Sequence, residues 1–482
     1  MGAIDYTILV VYMAGMLLIG FIAKGRINSM DDFILGGRRF NRFALVGTIL
    51  ATMVGSGMTM GAAGDVYSNG ATGSTVWVYL GFAIGLITLG FMSKAIRETN
   101  ARSLAEVVSK SFGTHARLAA AIVVVCYAVA LVAINIAGLR TILIYIFGEH
   151  FALSIPVATV LAAAIAITYT AMGGFYAVVW TDVAQLLIMI VGVFIIGPIV
   201  GIHAIDGGFA SIQSAYDATG SSITEPLKNG FSQFSIGYML SYFLACPGDP
   251  TMPQRVLSAR DDATSKFSFI TSGCIAIYFG IAMLALGGSI FVLMPNIEAT
   301  DSALPAFVMN YYPPIIKGIT MAGLIAAIMS SFDSFLILST THIMYDIGRV
   351  INPKLKDEII QKSLPVLTVA LGIAGIIVAL FITSLLSYLA MVFSVVGAAL
   401  VPVLFASLYF KTKTSKKAAT ASIIVGALIP AILYLTVGYN VPLGDPVFIG
   451  LASSVIVIIV GSLFLHDKPT REEIEENMKR VG

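Results

Sequence analysis

Thirteen stretches of about twenty mostly apolar residues follow one another along this chain, joined by short polar segments, and no other feature limits its fold as strongly. A helix needs roughly 20 such residues to cross the hydrocarbon core of a bilayer. The stretches lie near 4–23, 43–70, 74–92, 118–147, 154–171, 177–201, 234–252, 267–291, 315–345, 364–381, 385–408, 418–437 and 447–465. Backbone buried in lipid must satisfy its own polar groups, so only helices and closed barrels span. Continuous apolar runs, in place of alternating ones, exclude the barrel. Hydrophobic residues make up 58% of the chain and charged ones 11%, against about 45–50% and 25% in soluble domains. The reading is an all-α polytopic membrane protein with about 13 transmembrane helices. The first run begins at Ile4 with no basic leader and no small-residue cleavage pattern, which marks a retained span.

Charge gives the orientation. Twenty-five of the 28 Lys and Arg residues fall in one alternating set of segments: 24–42, 93–117, 253–266, 346–363, 409–417 and the tail from His466. The other set holds Lys228, with Arg140 and Lys317 near span ends. Cytoplasmic loops carry the excess of Lys and Arg, so the N-terminus is expected outside and the tail to Gly482 in the cytoplasm. The expected location is the cell's inner (plasma) membrane, crossed many times. Basic and acidic residues nearly balance, 28 against 26, so no surface suits nucleic acid. Cys126, Cys246 and Cys274 sit in apolar stretches and form neither a disulfide framework nor metal-ligand spacing. The longest outer loops, 202–233 and 292–314, are too short for a catalytic domain, so any chemistry must lie within the bundle.

Two spans are heavily punctuated. The second contains Gly55-Ser56-Gly57, then Gly61 and Gly64; the seventh contains Pro247-Gly248-Asp249-Pro250, then Pro253. Glycine also permits close helix packing and proline simple kinks. Paired interruptions in corresponding positions, however, point to an inverted-repeat transporter with its site at the breaks. On that reading residues 1–42 form an extra helix and loop, 43–201 the first five-helix repeat, 202–233 an outer loop, 234–408 the second repeat, and 409–482 two further helices and a tail.

Polar groups at membrane depth are costly and mark function. In the ninth span, Ala327, Ser330, Ser331 and Ser334 share one helical face, with Asp333 beside Ser330. Serines in membrane helices often bond back to their own carbonyls, but a carboxylate among them needs a cation or a proton. Hydroxyls and freed carbonyls with little formal charge suit a monovalent ion. Asp182 follows Trp180-Thr181 early in its span; it either faces the interior or reaches the interface. Asp249 either lines the site or caps a half-helix. Arg140 is expected to snorkel, and His342 to lie at the interface.

Three motifs resemble those of the solute:sodium symporters, the group that includes bacterial proline, pantothenate and sialic acid carriers and the choline transporter. They are Asp31-Asp32-Phe33-Ile34-Leu35-Gly36-Gly37-Arg38, Gly173-Gly174-Phe175-Tyr176-Ala177-Val178-Val179-Trp180-Thr181-Asp182, and Ala327-x-x-Ser330-Ser331. The resemblance implies a leucine-transporter-like 5+5 inverted repeat with one extra N-terminal and two extra C-terminal helices. It implies a sodium site built from the carbonyls of Ala51 and Val54 with Ala327, Ser330 and Ser331. It also implies a second cation site at Asp182, Asp333 and Ser334, where Asp333 replaces a serine of the sialic acid carriers and leaves the number of sodium ions open. Solute contacts are then expected from Ser56, Gly57, Met58, Trp77, Asn135, Tyr242 and Tyr388. With only two Trp, no quaternary-ammonium cage is evident; a small amino acid or carboxylate is expected.

The function expected is sodium-coupled uptake of a small organic solute by alternating access, with a single chain sufficient. A proton-coupled carrier of the same fold is the nearest alternative. An intramembrane enzyme would need a nucleophile–base pair or metal cluster that His115, His150, His203, His342 and His466 do not form, and a passive channel would not concentrate solute.

Overall fold

The computed structural model describes residues 1–24, 30–151, 153–170, 175–230, 233–438, 441 and 445–465. Helix covers every one of the apolar stretches. In chain order these are α1 (Ala3–Lys24), the bent pair α2 (Arg42–Met53) and α3 (Gly57–Asn69), α4 (Thr75–Glu98), α5 (Leu104–Phe151), α6 (Ile155–Thr170) and α7 (Phe175–His203). The second half holds α8 (Gln233–Gly248), α9 (Thr251–Ser258), α10 (Asp262–Leu293), α11 (Ala303–Tyr311), α12 (Ile316–Ile351), α13 (Asp357–Ala379), α14 (Leu385–Tyr409), α15 (Lys416–Thr436) and α16 (Pro446–Phe464). Among the described residues nine helices are long and apolar enough to cross a membrane, and the bent pair makes a tenth. The stretches at 4–23, 154–171 and 234–252 are occupied by α1, α6 and α8, so each of the 13 expected spans has its helix. No β-strand occurs among the described residues; isolated bridges pair Phe40 with Ala259 and Gly70 with Ser222.

The two interruptions take different forms. α2 and α3 meet at 67° across the break after Met53, and the turn that follows, Gly57–Gly61, is wound as a π-helix. Such bulges frequently occur at functional sites. At the second, α8 runs through Pro247 to Gly248, and α9 starts after Asp249-Pro250. α9 extends the broken span to Ser258 rather than ending it near 252. The segment 253–266 is therefore not all loop, and Arg255, counted there among cytoplasmic charges, is fully buried. The other basic segments gather at one end: Arg38 donates to the Ala101 carbonyl, Arg97 pairs with Asp262, and Arg117 with Asp346. The opposite end holds the 202–230 loop, whose Tyr216 hydroxyl donates to the Val66 carbonyl at 2.6 Å.

Small residues bring the helices close, as expected where lipid offers no hydrophobic drive for association. Gly81 and Gly85 on α4 face α8, Gly81 lying against the Met239 carbonyl and Gly85 against that of Phe243. Gly273 and Gly280 on α10 fit against α4 from its other side. α1 is tied to the long helix by its Asp5, whose Oδ1 accepts from the backbone N–H groups of Ile315 (2.9 Å) and Gly318 (3.2 Å). A carboxylate at these first-turn donors satisfies groups that have no partner inside the helix.

A Cβ at Gly81 would sit 2.3 Å from the Met239 carbonyl oxygen, whereas one at Gly15 meets nothing within 4 Å. Gly81→Ala is thus expected to destabilise the protein by about 1–3 kcal/mol, seen as a lower melting temperature in detergent, while Gly15→Ala leaves it unchanged. Equal melting temperatures for the two variants would show that α4 and α8 are not held at this spacing.

Candidate ion and solute site

The chain leaves helical geometry at Val54 (φ −95°, ψ 66°), directly before Gly55. Gly55 is required by space: a Cβ there would lie 2.9 Å from Ser331 Oγ and 3.0 Å from Asn135 Oδ1. The long helix α12 crosses at this point. Ser330 Oγ donates to the Ala51 carbonyl at 2.9 Å and to the Ala327 carbonyl at 3.0 Å. Ser331 Oγ donates to the Thr52 carbonyl at 2.9 Å and to Ala327 at 3.3 Å. Ala51, Ala327, Ser330 and Ser331 are therefore together, and Ser331 pairs with Thr52 where Val54 was the expected neighbour. The serines do bond back to their own helix, yet each also reaches across to the broken one. All are buried. The result is a group of uncharged oxygens shared by two helices.

A charged cluster adjoins it. Asp182 is fully buried on α7, and its Oδ2 accepts from Thr48 Oγ1 at 2.5 Å and Thr52 Oγ1 at 3.5 Å. Asp182 faces the interior, which settles the alternative left open above. The guanidinium of Arg255, from α9, lies over this carboxylate: Nη2 is 3.3 Å from Asp182 Oδ2 and 3.0 Å from Ser334 Oγ, and it donates to Thr52 Oγ1 as well. Nε donates to Thr48 Oγ1 at 3.0 Å and Nη1 to the Thr251 carbonyl at 3.1 Å. Asp333 is also buried, and neither of its carboxylate oxygens has a hydrogen-bond partner; Asp182 Oδ1 has none either. Asp333 stands within electrostatic reach of both Asp182 and Arg255. Unpartnered buried carboxylate oxygens beside hydroxyls and carbonyls fit a monovalent cation. Among the described residues no group of three His, Cys, Asp or Glu could hold a metal ion.

A small central cavity of about 20 Å³ opens beside the first break, bordered by Ser56, Gly57, Asn135, Asp249, Ser331 and Phe393. That is room for about one water. Ser56 Oγ donates to the Ile134 carbonyl at 3.1 Å, and Asn135 Nδ2 to that of Leu131 at 2.8 Å. Of the expected solute contacts, Ser56, Gly57 and Asn135 border the cavity and the others do not. Met58 is buried with its carbonyl bonded to the Tyr79 hydroxyl, and Trp77 lies on α4 away from the cavity wall. Tyr242 stands behind it, packed on Phe393 at 5.0 Å. Tyr388 lines a separate apolar cleft of about 640 Å³ between α5, α14 and α15. Asp249 does both things the sequence allowed, bordering the cavity while its Oδ1 accepts from the Thr251 N–H at 2.8 Å.

A polar vestibule of about 180 Å³ lies beyond, bordered by Asp65, Ser68, Tyr238, Asp301, Leu386 and Ser387. Burial pushes the Asp301 carboxyl above the usual carboxylate range, with the Leu385 N–H and Arg140 opposing that shift. Leu386 borders the vestibule and Leu389 the cavity, one helical turn apart, and glycines of the π-turn fit against both: Gly61 against Leu386 and Gly57 against Leu389.

Sequence reasoning missed Arg255, Thr48 and Thr52. The usable signal was an Arg six residues after Asp249 on a stretch punctuated by Pro250 and Pro253, the expected pattern of a short charged half-helix. His342 is not at an interface: it is buried with Nδ1 on the Leu338 carbonyl at 2.9 Å and Nε2 at 3.6 Å from Asp346. Arg140 donates to the Ala379 carbonyl at 3.1 Å. Gly173, Gly174 and the tail from His466 lie outside the described residues.

Removing one partner of a buried ion pair costs about 3–5 kcal/mol. Asp182→Asn, which leaves the buried Arg255 without its carboxylate, is expected to lower stability on that scale and impair transport. Adding Arg255→Gln should recover part of the lost melting temperature. If the double variant is no more stable than Asp182→Asn alone, the two charges are not coupled.

Residues 33–426 match the family described as the sodium:solute symporter family. The sodium/proline symporter of Escherichia coli (strain K12) is 28% identical over 87% of this chain and 85% of its own length. The sodium/sialic acid symporter of Proteus mirabilis (strain HI4320) is 26% identical over 70% of this chain and 69% of its own. A solved structure of a Na⁺-coupled sialic acid symporter, substrate-bound and outward-open, superposes with a TM-score of 0.83 at 23% identity over 96% of this chain and 98% of that one. The fold is that of the leucine-transporter-like carriers, the protein is a multi-pass membrane transporter and not an enzyme, and sodium is its coupled ion. This chain belongs to the sodium:solute symporter family.

Proposed function

We propose that this protein imports a small zwitterionic solute, of amino-acid type, together with sodium, by alternating access of the repeats 43–201 and 234–408. Its place on this reading is the plasma membrane, with the N-terminus outside and the tail inside, and one chain suffices. The observation that carries the proposal is Ser331, whose hydroxyl bridges to the Thr52 carbonyl while the same residue borders the central cavity. An ion held there fixes one wall of the solute pocket. The carbonyls of Ala51, Val54 and Ala327 and the hydroxyls of Ser330 and Ser331 hold the sodium ion, the hydroxyls turning their lone pairs toward it. Solute affinity then depends on sodium because the unwound segment is ordered by the ion.

The solute class follows from the charges at the two breaks. Half-helix N-termini face anionic groups in such carriers, and α3 begins at the cavity with Ser56 and Gly57. Across from it, Asp249 offers a carboxylate to an ammonium group. Phe82, Phe335, Phe393 and Leu389 crowd the remainder. A compact zwitterion satisfies both ends. A larger acid without an amine leaves Asp249 facing like charge.

Two measurements test this. The pair Ser330→Ala with Ser331→Ala should raise the sodium concentration for half-maximal uptake at least tenfold, the loss of about 1.4 kcal/mol of ion binding, in a protein that stays folded; wild-type sodium dependence removes the ion from this helix, and full accumulation in sodium-free buffer with a pH gradient favours proton coupling. In a thermal-stability panel, small amino acids at about 100 times their dissociation constant should stabilise the purified protein by about 2.7 kcal/mol, with sodium present only. Stabilisation by sialic acid or pantothenate and not by amino acids would overturn the solute class.

A further inference from the structure

We propose that the apolar cleft between α5, α14 and α15 binds one anionic phospholipid of the surrounding bilayer, its acyl chain lying along the cleft and its headgroup held by the lysines before and at the start of α15. The cleft, about 640 Å³ in volume, lies on the lipid-facing side of the bundle; Ile122, Ile424, Leu428 and Leu435 in its walls are 46–82% exposed. On α15 the wall is one stripe, Thr420, Ile424, Ala427, Ala431 and Leu435, at the three- and four-residue spacing of a single helix face. Exposed Lys417 continues that stripe by one turn. On α5 the wall runs from Tyr127 through Val123 and Ala119 to His115, every fourth residue, and His115 too is exposed. Both stripes therefore reach the same polar end, where 409–420 holds Lys411, Lys413, Lys416 and Lys417 and no acidic residue. At the other end, by Leu435 and Tyr388, no charged group among the described residues borders the cleft.

Shape and charge together select the occupant. From Thr420 to Leu435 the cleft follows about 22 Å of helix, most of the roughly 30 Å of a hydrocarbon core and the reach of one extended long-chain acyl group. The floor is fixed before any occupant arrives: Tyr127 is 3% exposed, and its ring packs on Phe335 at 5.8 Å and Phe393 at 6.2 Å. Ser111 Oγ ties α5 to α14 at the polar end, donating to the Ser407 carbonyl at 3.0 Å. Lipid tails are as apolar as this wall, so hydrocarbon gains little by entering it. The preference must come from the headgroup. Lysines at the end of a span extend to headgroup level, and basic pockets between transmembrane helices recognise anionic headgroups. A zwitterionic headgroup brings its own cation against the lysines. On the orientation proposed above, the site faces the cytoplasmic leaflet.

The test titrates delipidated protein in neutral detergent with phosphatidylglycerol or phosphatidylcholine and reads bound lipid by native mass spectrometry. The wild-type chain should retain one phosphatidylglycerol and bind phosphatidylcholine at least tenfold more weakly. Lys413→Gln with Lys417→Gln, both exposed side chains, should weaken phosphatidylglycerol about 30-fold, the share of two interfacial charges, and leave phosphatidylcholine unchanged. Ala427→Trp, which fills the cleft, should remove both. No retained phospholipid on the wild-type chain, equal retention of the two, or an unchanged phosphatidylglycerol affinity in the lysine pair each overturns the inference and leaves sodium coupling intact. A wild-type dimer that Ala427→Trp dissociates also overturns it, by placing a second copy of the chain in the cleft. Should Ala427→Trp fail to fold, the lysine pair decides.

Discussion

A helix that unwinds inside a bilayer frees backbone carbonyls that lipid cannot satisfy, and the break after Met53 is where this protein accepts that cost. The chain turns by 67° there, and the serines of α12 supply the first partners for the carbonyls on its near side. Every functional element described lies within reach of that turn: the oxygen group, the charged cluster built on Thr48 and Thr52, the central cavity, and the π-wound glycines leading to the vestibule. The hydroxyl contacts are weak enough to exchange for an ion. A pair of carbonyls buried in apolar surroundings with no such partners would hold the break shut in some other conformation.

Much of this was legible in the sequence, and the limits have physical causes. Length and hydropathy located the helices because a bilayer imposes a minimum apolar run. Glycine and proline clusters located both breaks because only a few residue types release backbone from a helix in lipid. Ala327, Ser330 and Ser331 were legible from helical periodicity. Arg255 was not, because a hydropathy reading ends a span at the first strong charge, and α9 is too short and too polar to register as membrane-buried. Its burial depends on four partners distant in sequence, Thr48, Thr52, Asp182 and Ser334, and no local pattern encodes that meeting. The aromatic solute candidates lie off the central cavity for the opposite reason. Tyr388 lies on α14, whose Leu389 and Phe393 border the cavity, but a few tens of degrees of rotation decide whether a ring borders a 20 Å³ cavity or the cleft behind it.

The buried cluster also explains how a carrier holds charges that would otherwise break its bundle. Desolvating Arg255 and Asp182 is repaid only with good geometry and further hydrogen bonds. Each nitrogen of the guanidinium has an acceptor here, and four helices supply them. Such an arrangement is hard to shift by degrees. It favours α2, α7, α9 and α12 moving together.

The two ends of the pathway are closed by different chemistry. Between vestibule and cavity stands about one helical turn of contact, with Leu386 and Leu389 of α14 against Gly61 and Gly57. These are van der Waals contacts, flanked by the Leu385 N–H, which donates to Asp301 at 2.8 Å. At the other end, buried Asp346 accepts from Ser103 at 2.8 Å and from Arg117 at 2.9 Å, and Tyr345 joins Arg102 at 3.3 Å. Parting that network strands a buried carboxylate, the most costly kind of loss. From the vestibule, the leucine–glycine seam is what separates a solute from the cavity wall at Ser331.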